Sequence, residues 1–209
     1  MGVDNVHSYA TDSEEKRLIL LVLAIVSVFL TWLLYSVLTW IGTQTNFVPP
    51  WWLEIPSVAT FYGVLYAVFD RRLWKNPLVR KLGGVKTPDL SGTWKGYVKS
   101  SYDNFNEEIE ATLEIFQSWT HIGIFQQTKD SKGQSFVATI LTKDSTAMRL
   151  CFMYQNIPQA SANTDMRQHV GSAELALSSD GTILSGDYFN CGRDRPTWGE
   201  LRFVKLQNK

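Results

Sequence analysis

Residues that carry chemistry are scarce in this chain. There are three histidines, His7, His121 and His169, and two cysteines, Cys151 and Cys191, and neither type recurs at metal-ligand spacing. Without His-x-x-x-His or Cys-x-x-Cys, the common zinc frameworks are excluded. No Gly-x-Ser-x-Gly elbow and no Gly-x-x-x-x-Gly-Lys-Ser/Thr loop occurs, which removes the usual signatures of a hydrolase nucleophile and of a nucleoside triphosphatase. Glu107, Glu108, Glu110 and Glu114 lie close together, but Glu110 and Glu114 fall on the polar side of an alternating stretch and read as a solvated face. The chain is read as a non-enzyme, with no catalytic residues, no metal and no cofactor.

A surplus of charge is missing as well. Lys and Arg total 20, Asp and Glu total 20. From Thr87 onward twelve basic residues face fourteen acidic ones, so no broad basic surface is available and neither DNA nor long RNA is an expected partner. The cysteines read as two reduced thiols of a cytosolic domain, with a disulfide as the alternative.

What the chain does have is one long run without a charge. Leu18 to Ile41 is apolar over about two dozen residues, and a helix of roughly 20 such residues crosses a bilayer core. A second, less clean run follows from Trp51 to Phe69, with Glu54 and Pro56 in its first turns and Trp51 and Trp52 at one interface. The loop between the runs carries no Lys or Arg. Lys16 and Arg17 precede the first run, and Arg71, Arg72, Lys75, Arg80 and Lys81 follow the second. The positive-inside rule then predicts a multi-pass protein with both termini in the cytoplasm. Gly83-Gly84 and Thr87-Pro88 mark a linker.

Beyond the linker the period changes to two. Thr93–Ser100, Ile109–Phe116, His121–Thr128, Ser135–Thr142, Ala147–Gln155, Gln168–Leu177, Ile183–Asn190 and Thr197–Lys205 read as strands. The turns between them include Lys129 to Gly133 and Ser178 to Gly181. Eight such strands predict an all-β, up-and-down antiparallel barrel behind two transmembrane α-helices, with a two-sheet sandwich as the alternative. The expected divisions are residues 1–17 as an N-terminal cytoplasmic segment, 18–75 as the two-helix membrane region, 76–88 as a basic linker and 89–209 as the ligand-sensing barrel. The one long late connection, Asn156 to Arg167, is the candidate lid.

The late strands place polar and aromatic residues where they can share one concavity: Tyr154, Asn156, His169, Tyr188, Asn190, Arg193, Arg195 and Thr197. Amides read base or sugar edges, rings stack on bases, and Arg forks grip phosphate. Trp94 and Trp198 read as core anchors. From residues alone, a tethered lipocalin-like carrier of a lipid or other small apolar ligand stays open, as does a purely structural barrel.

Five features, taken in order, carry a resemblance. They are the two apolar runs, Leu90-Ser91-Gly92-Thr93-Trp94-Lys95-Gly96, Tyr154-Gln155-Asn156-Ile157-Pro158, His169-Val170-Gly171, and Gly186-Asp187-Tyr188 running on to Arg195-Pro196-Thr197-Trp198-Gly199. Together they resemble the transmembrane β-barrel effectors of bacterial CBASS antiphage operons. The resemblance implies a barrel that binds a cyclic dinucleotide made by a cognate cyclic nucleotide synthase. It also implies spans that disrupt the bacterial inner membrane and end in cell death or growth arrest; the favoured reading adds that ligand binding drives self-association of the barrels.

Overall fold

The computed structural model describes residues 6–45, 54–143, 147–160, 162, 167–191 and 196–206. They form two compact units, residues 14–86 and residues 1–13 with 87–209.

The first unit is helical. α1 (Glu15–Thr45) and α2 (Glu54–Arg71) pack together, followed by a 3-10 turn over Leu73–Lys75 and by α3 (Pro77–Gly83). One stripe of α1 is buried, Ile19, Leu23, Ser27 and Thr31, four residues apart as a ridge of a helix requires. The Ser27 and Thr31 hydroxyls donate back to the carbonyls of Leu23 and Ser27, at 2.6 and 2.9 Å, so no polar group on the stripe is left unbonded. The rest of α1 is exposed and apolar: Leu18, Leu21, Ile25, Phe29, Trp32 and Trp40 are all more than half accessible. Its most apolar window is only 22% buried, which separates it from the core helix of a soluble protein.

Two spans are expected from the sequence. Among the described residues only α1 is long and apolar enough to cross a membrane. The 18 residues of α2 include Glu54, Pro56, Asp70 and Arg71, and these dilute its hydropathy. Trp51 and Trp52 lie outside the described residues. Part of the expected linker is helical: Asn76 caps α3, its Oδ1 accepting from the backbone N–H of Leu78 (2.9 Å) and Val79 (3.4 Å). Gly84 closes α3 at φ 65°.

The second unit is the closed barrel that the alternation predicts. Its strands are β3 (Gly92–Ser100), β4 (Ile109–Gln117), β5 (His121–Thr128), β6 (Ser131–Leu141), β7 (Arg149–Pro158), β8 (His169–Leu177), β9 (Ile183–Cys191) and β10 (Thr197–Lys205). Each is antiparallel to its chain neighbour, and β10 returns to β3. β6 begins four residues earlier than the sequence suggests. Most of the expected Lys129–Gly133 turn is strand, and the hairpin is only Lys129-Asp130. Trp94 is fully buried, as expected, and its indole N–H donates to the Leu90 carbonyl at 3.0 Å. Trp198 is not a core residue. It faces outward on β10 and is half exposed, because its register parity is opposite to that of Leu201 and Phe203.

Two short strands are absent from the sequence reading. β1 (His7–Ser8) and β2 (Ala10–Thr11) belong to the N-terminal segment and lie in the barrel wall. β1 pairs antiparallel with β5, and β2 pairs parallel with β6. Between them the buried Tyr9 donates its hydroxyl to the Trp119 carbonyl at 2.6 Å. Beyond β2, Asp12 accepts from Thr142 N (2.8 Å), Thr142 Oγ1 (2.9 Å) and Lys143 N (2.9 Å). Partial burial opposes ionisation of Asp12, yet these three donors hold its carboxyl below the usual range.

A candidate ligand cup at one end of the barrel

The strand register divides the interior into two halves. Toward one end the inward positions are Trp94, Leu113, Ile115, Ile122, Ile124, Ile140, Leu150, Leu175, Leu184 and Phe203, each at most 2% exposed. This half is a packed apolar core, and it is what closes the barrel. Toward the other end the inward positions become polar, aromatic or glycine. Thr197, Asn190, Gly171, Tyr154 and Ser135 lie directly opposite one another across β10, β9, β8, β7 and β6. His169, Asn156, Gly133 and Gln126 form a second row across β8 to β5. Ser100, Gly199 and Tyr188 form a third across β3, β10 and β9.

Side chains and backbone crowd the two glycines of these rows. A Cβ on Gly171 would stand 2.3 Å from Asn190 Oδ1 and 2.6 Å from Tyr154 Cζ, and one on Gly199 would stand 1.9 Å from the Lys99 carbonyl oxygen and 2.7 Å from Tyr188 Cε1. Only a residue without a side chain leaves room for rings folded across the cup floor. The Tyr154 hydroxyl donates to Asn190 Oδ1 at 2.8 Å, and Asn190 Nδ2 donates to Thr197 Oγ1 at 3.0 Å. Asn156 Nδ2 and His169 Nε2 are 3.4 Å apart, while His169 Nδ1 lies 2.9 Å from the Arg167 carbonyl. Tyr188 hydrogen-bonds the Ser100 side chain.

Burial pushes both phenols up. Tyr154 is raised by burial and by neighbouring Tyr188. Tyr188 is raised by burial and by Asp103, against the Ser100 hydrogen bond. Both stay neutral donors across the physiological range.

Six of the eight residues singled out from the sequence are therefore inward-facing at this end: Tyr154, Asn156, His169, Tyr188, Asn190 and Thr197. Tyr154, Asn190 and Thr197 are joined in one chain of hydrogen bonds, and Asn156 with His169 forms a separate pair. Arg193 and Arg195 lie outside the described residues. So does much of the candidate lid, but its first residue beyond β7 is pinned to the rim. Gln159 donates its backbone N–H to the Asp130 carbonyl at 2.8 Å and its side-chain amide to the Thr128 carbonyl at 2.9 Å.

Four residues of the cup end escape a sequence reading. Ser100, Gln126 and Ser135 sit in early strands, where isolated polar residues carry no motif. Asp103 lies in the loop after β3, held by consecutive left-handed residues Asn104 (φ 57°) and Phe105 (φ 63°). Asp103 Oδ2 accepts from Glu107 N at 2.8 Å, whereas Oδ1 is buried without a hydrogen-bond partner among the described residues. Those residues hold no cluster of three His, Cys, Asp or Glu able to grip a metal ion. A separate hollow of about 300 Å³ is lined by Val137, Met153, Ser172 and Phe189 among others, and shares none of its lining with the cup. Cys151, beside it, is a free thiol whose pKa burial raises.

An apolar helix long enough to cross a membrane, together with a closed barrel packed with apolar side chains at one end and lined by polar ones at the other, fits a membrane-anchored small-molecule receptor. The chain belongs to the Cap15 family: the model described as "Cap15, cyclic dinucleotide receptor domain" matches residues 85–205, and that described as "Cap15, TM helices" matches residues 17–75. A CD-NTase-associated protein 15 from Yersinia aleksiciae is 28% identical over 94% of this chain and 93% of its own length. The protein is thus a CBASS transmembrane effector with a cyclic dinucleotide receptor domain, as the resemblance in its motifs implies.

Proposed function

We propose that the cyclic dinucleotide binds in the cup, and that binding drives self-association and disruption of the bacterial inner membrane, ending in cell death or growth arrest. The observation that carries this reading is the division of the barrel interior. A side-chain-filled core makes one half rigid, while the other half presents amides, hydroxyls and an imidazole over two flat tyrosines. Amides suit base edges, rings suit base faces, and Arg193 and Arg195 in the β9–β10 connection supply charge for two phosphates. An apolar carrier needs a mostly apolar cavity, and the polar lining counts against it.

The rest of the cycle follows from surfaces and charge. Val137, Met153, Phe189 and Trp198 are exposed apolar residues on the outer faces of β6, β7, β9 and β10, in one row that Ser172 of β8 interrupts, and on this row two barrels can associate. Ligand promotes association only by binding the associating state more tightly, and a ten-thousandfold preference corresponds to about 5.5 kcal/mol. Both termini and the barrel lie in the cytoplasm, where the synthase product is made. The family match to transmembrane helices over residues 17–75 supports α2 as the second span.

Calorimetry with the full chain in lipid nanodiscs tests the cup. Asn190→Ala and His169→Ala are expected to weaken cyclic dinucleotide binding by about tenfold to a hundredfold, the size of one or two lost hydrogen bonds to a charged or multiply bonded ligand. Wild-type affinity in both variants would falsify the cup as the binding site.

A further inference from the structure

The barrel wall has one weak seam, and the chain covers it with its own beginning. β5 and β6 share only three residue pairs, Phe125–Gln127 with Gln134–Lys132, whereas every other neighbouring pair of barrel strands shares at least seven. Past Ser135 a bulge shifts β6, and Ala138 and Ile140 take over the inward positions. Below that point β5 and β6 part, and residues 7–11 lie between them. Left bare, the two edges would be templates for another strand.

This strap is linked by contact to the cup. His7 Nε2 meets Ser135 Oγ at 2.9 Å, and the same oxygen accepts from Ile124 N at 3.0 Å. Ser135 is 2% exposed and stands directly opposite Tyr154, whose hydroxyl depends on Asn190. At its other end the strap is capped by Asp12 and runs within three residues into α1 at Glu15. One serine therefore touches the strap, the neighbouring strand and the row that forms the cup floor.

We propose that residues 7–12 are a releasable strap that couples the cup to the first membrane helix. This rests on the cup being the cyclic dinucleotide site. A ligand that takes Asn190 removes the acceptor of the Tyr154 hydroxyl, Tyr154 moves, and Ser135 gives up His7. With two residue pairs on each side, the strap has the shortest ladder in the barrel and is the first element to open. Its release unties the start of α1 from the barrel and exposes the seam.

Hydrogen exchange on the full chain in nanodiscs tests this, with cyclic di-AMP, cyclic di-GMP, cyclic di-UMP and cyclic GMP-AMP each added in turn. The bound ligand is expected to speed exchange about tenfold or more at residues 7–12 and at 122–124, while strands β8 to β10 stay protected. A second arm locks the strap. Ser8 and His121 are opposed partners, so Ser8→Cys with His121→Cys, in a Cys151→Ser, Cys191→Ser background, forms a cross-strand disulfide. The oxidised protein should bind ligand more weakly than the reduced protein, because ligand favours the released strap, and should fail to release dye from loaded vesicles; reduction should restore both. Unchanged exchange on ligand binding, or full dye release by the locked protein, overturns the strap's role and leaves the cup standing. A wild-type chain that binds none of the four nucleotides overturns the cup, and the strap's trigger with it.

Discussion

At the residue scale, the protein is a problem of parity. Along each strand, every second side chain enters the barrel, and the choice of Tyr154, Asn156, His169, Tyr188, Asn190 and Thr197 follows from alternation alone. Which rows they form does not, because the rows depend on strand register, and register is set by contacts between residues far apart in the chain. That is why Ser100, Gln126 and Ser135 pass unnoticed in the sequence although each faces the same interior. Trp198 shows the opposite error: an aromatic residue near the end of a strand looks like core until its partner rows are known. The buried phenols carry a prediction here. Burial raises their pKa in the folded state, so their contribution to stability is complete below the unfolded-state value near 10 and is lost as the pH climbs above it. Thermal melts between pH 9 and 11 are expected to show this loss, and Tyr154→Phe should blunt it. A variant with the same alkaline slope as wild type would contradict the assignment of Tyr154 as a buried neutral donor.

At the scale of elements, long periodic segments were readable and short ones were not. Eight barrel strands stand out because each has eight residues or more of alternation and a turn at its end. β1 and β2 have two residues apiece, and such a segment has no period to detect; it becomes strand only because β5 and β6 offer it unpaired edges. α3 is another short element, and it carries the second prediction. Leu78 and Leu82, one turn apart, are 70% and 88% exposed beside Arg80 and Lys81. That pairing of apolar and basic residues suits the headgroup layer of an anionic membrane. Leu78→Glu with Leu82→Glu is expected to make α3 markedly more accessible to soluble protease in nanodiscs, without altering cyclic dinucleotide affinity. Equal cleavage of variant and wild type would place α3 in water.

At the scale of the whole molecule, the proposed sensing and association surfaces fall on opposite faces of the same strands. The cup is built from inward positions, and the row of Val137, Met153, Phe189 and Trp198 from outward positions of the same strands. Opposite faces of a strand can be altered separately, so the two roles should come apart on mutation. Phe189→Glu with Trp198→Glu is expected to leave calorimetric affinity within about twofold of wild type and to abolish the ligand-driven rise in mass seen by light scattering, since a charge in an apolar contact costs several kcal/mol. Ligand-driven association that survives this pair of charges would move the contact elsewhere on the barrel.

The inserted strap also changes the shape of the vessel. At the cup the circumference is eight strands, while below the bulge the strap adds a ninth, and a barrel widens with its strand number. The base of the wall accordingly counts nine strands around a core filled by Trp94, Ile122 and Ile140. A receptor fragment trimmed to the family boundary at residue 85 would be missing a stave from that base, and its two raw edges would invite the nearest strand of another molecule.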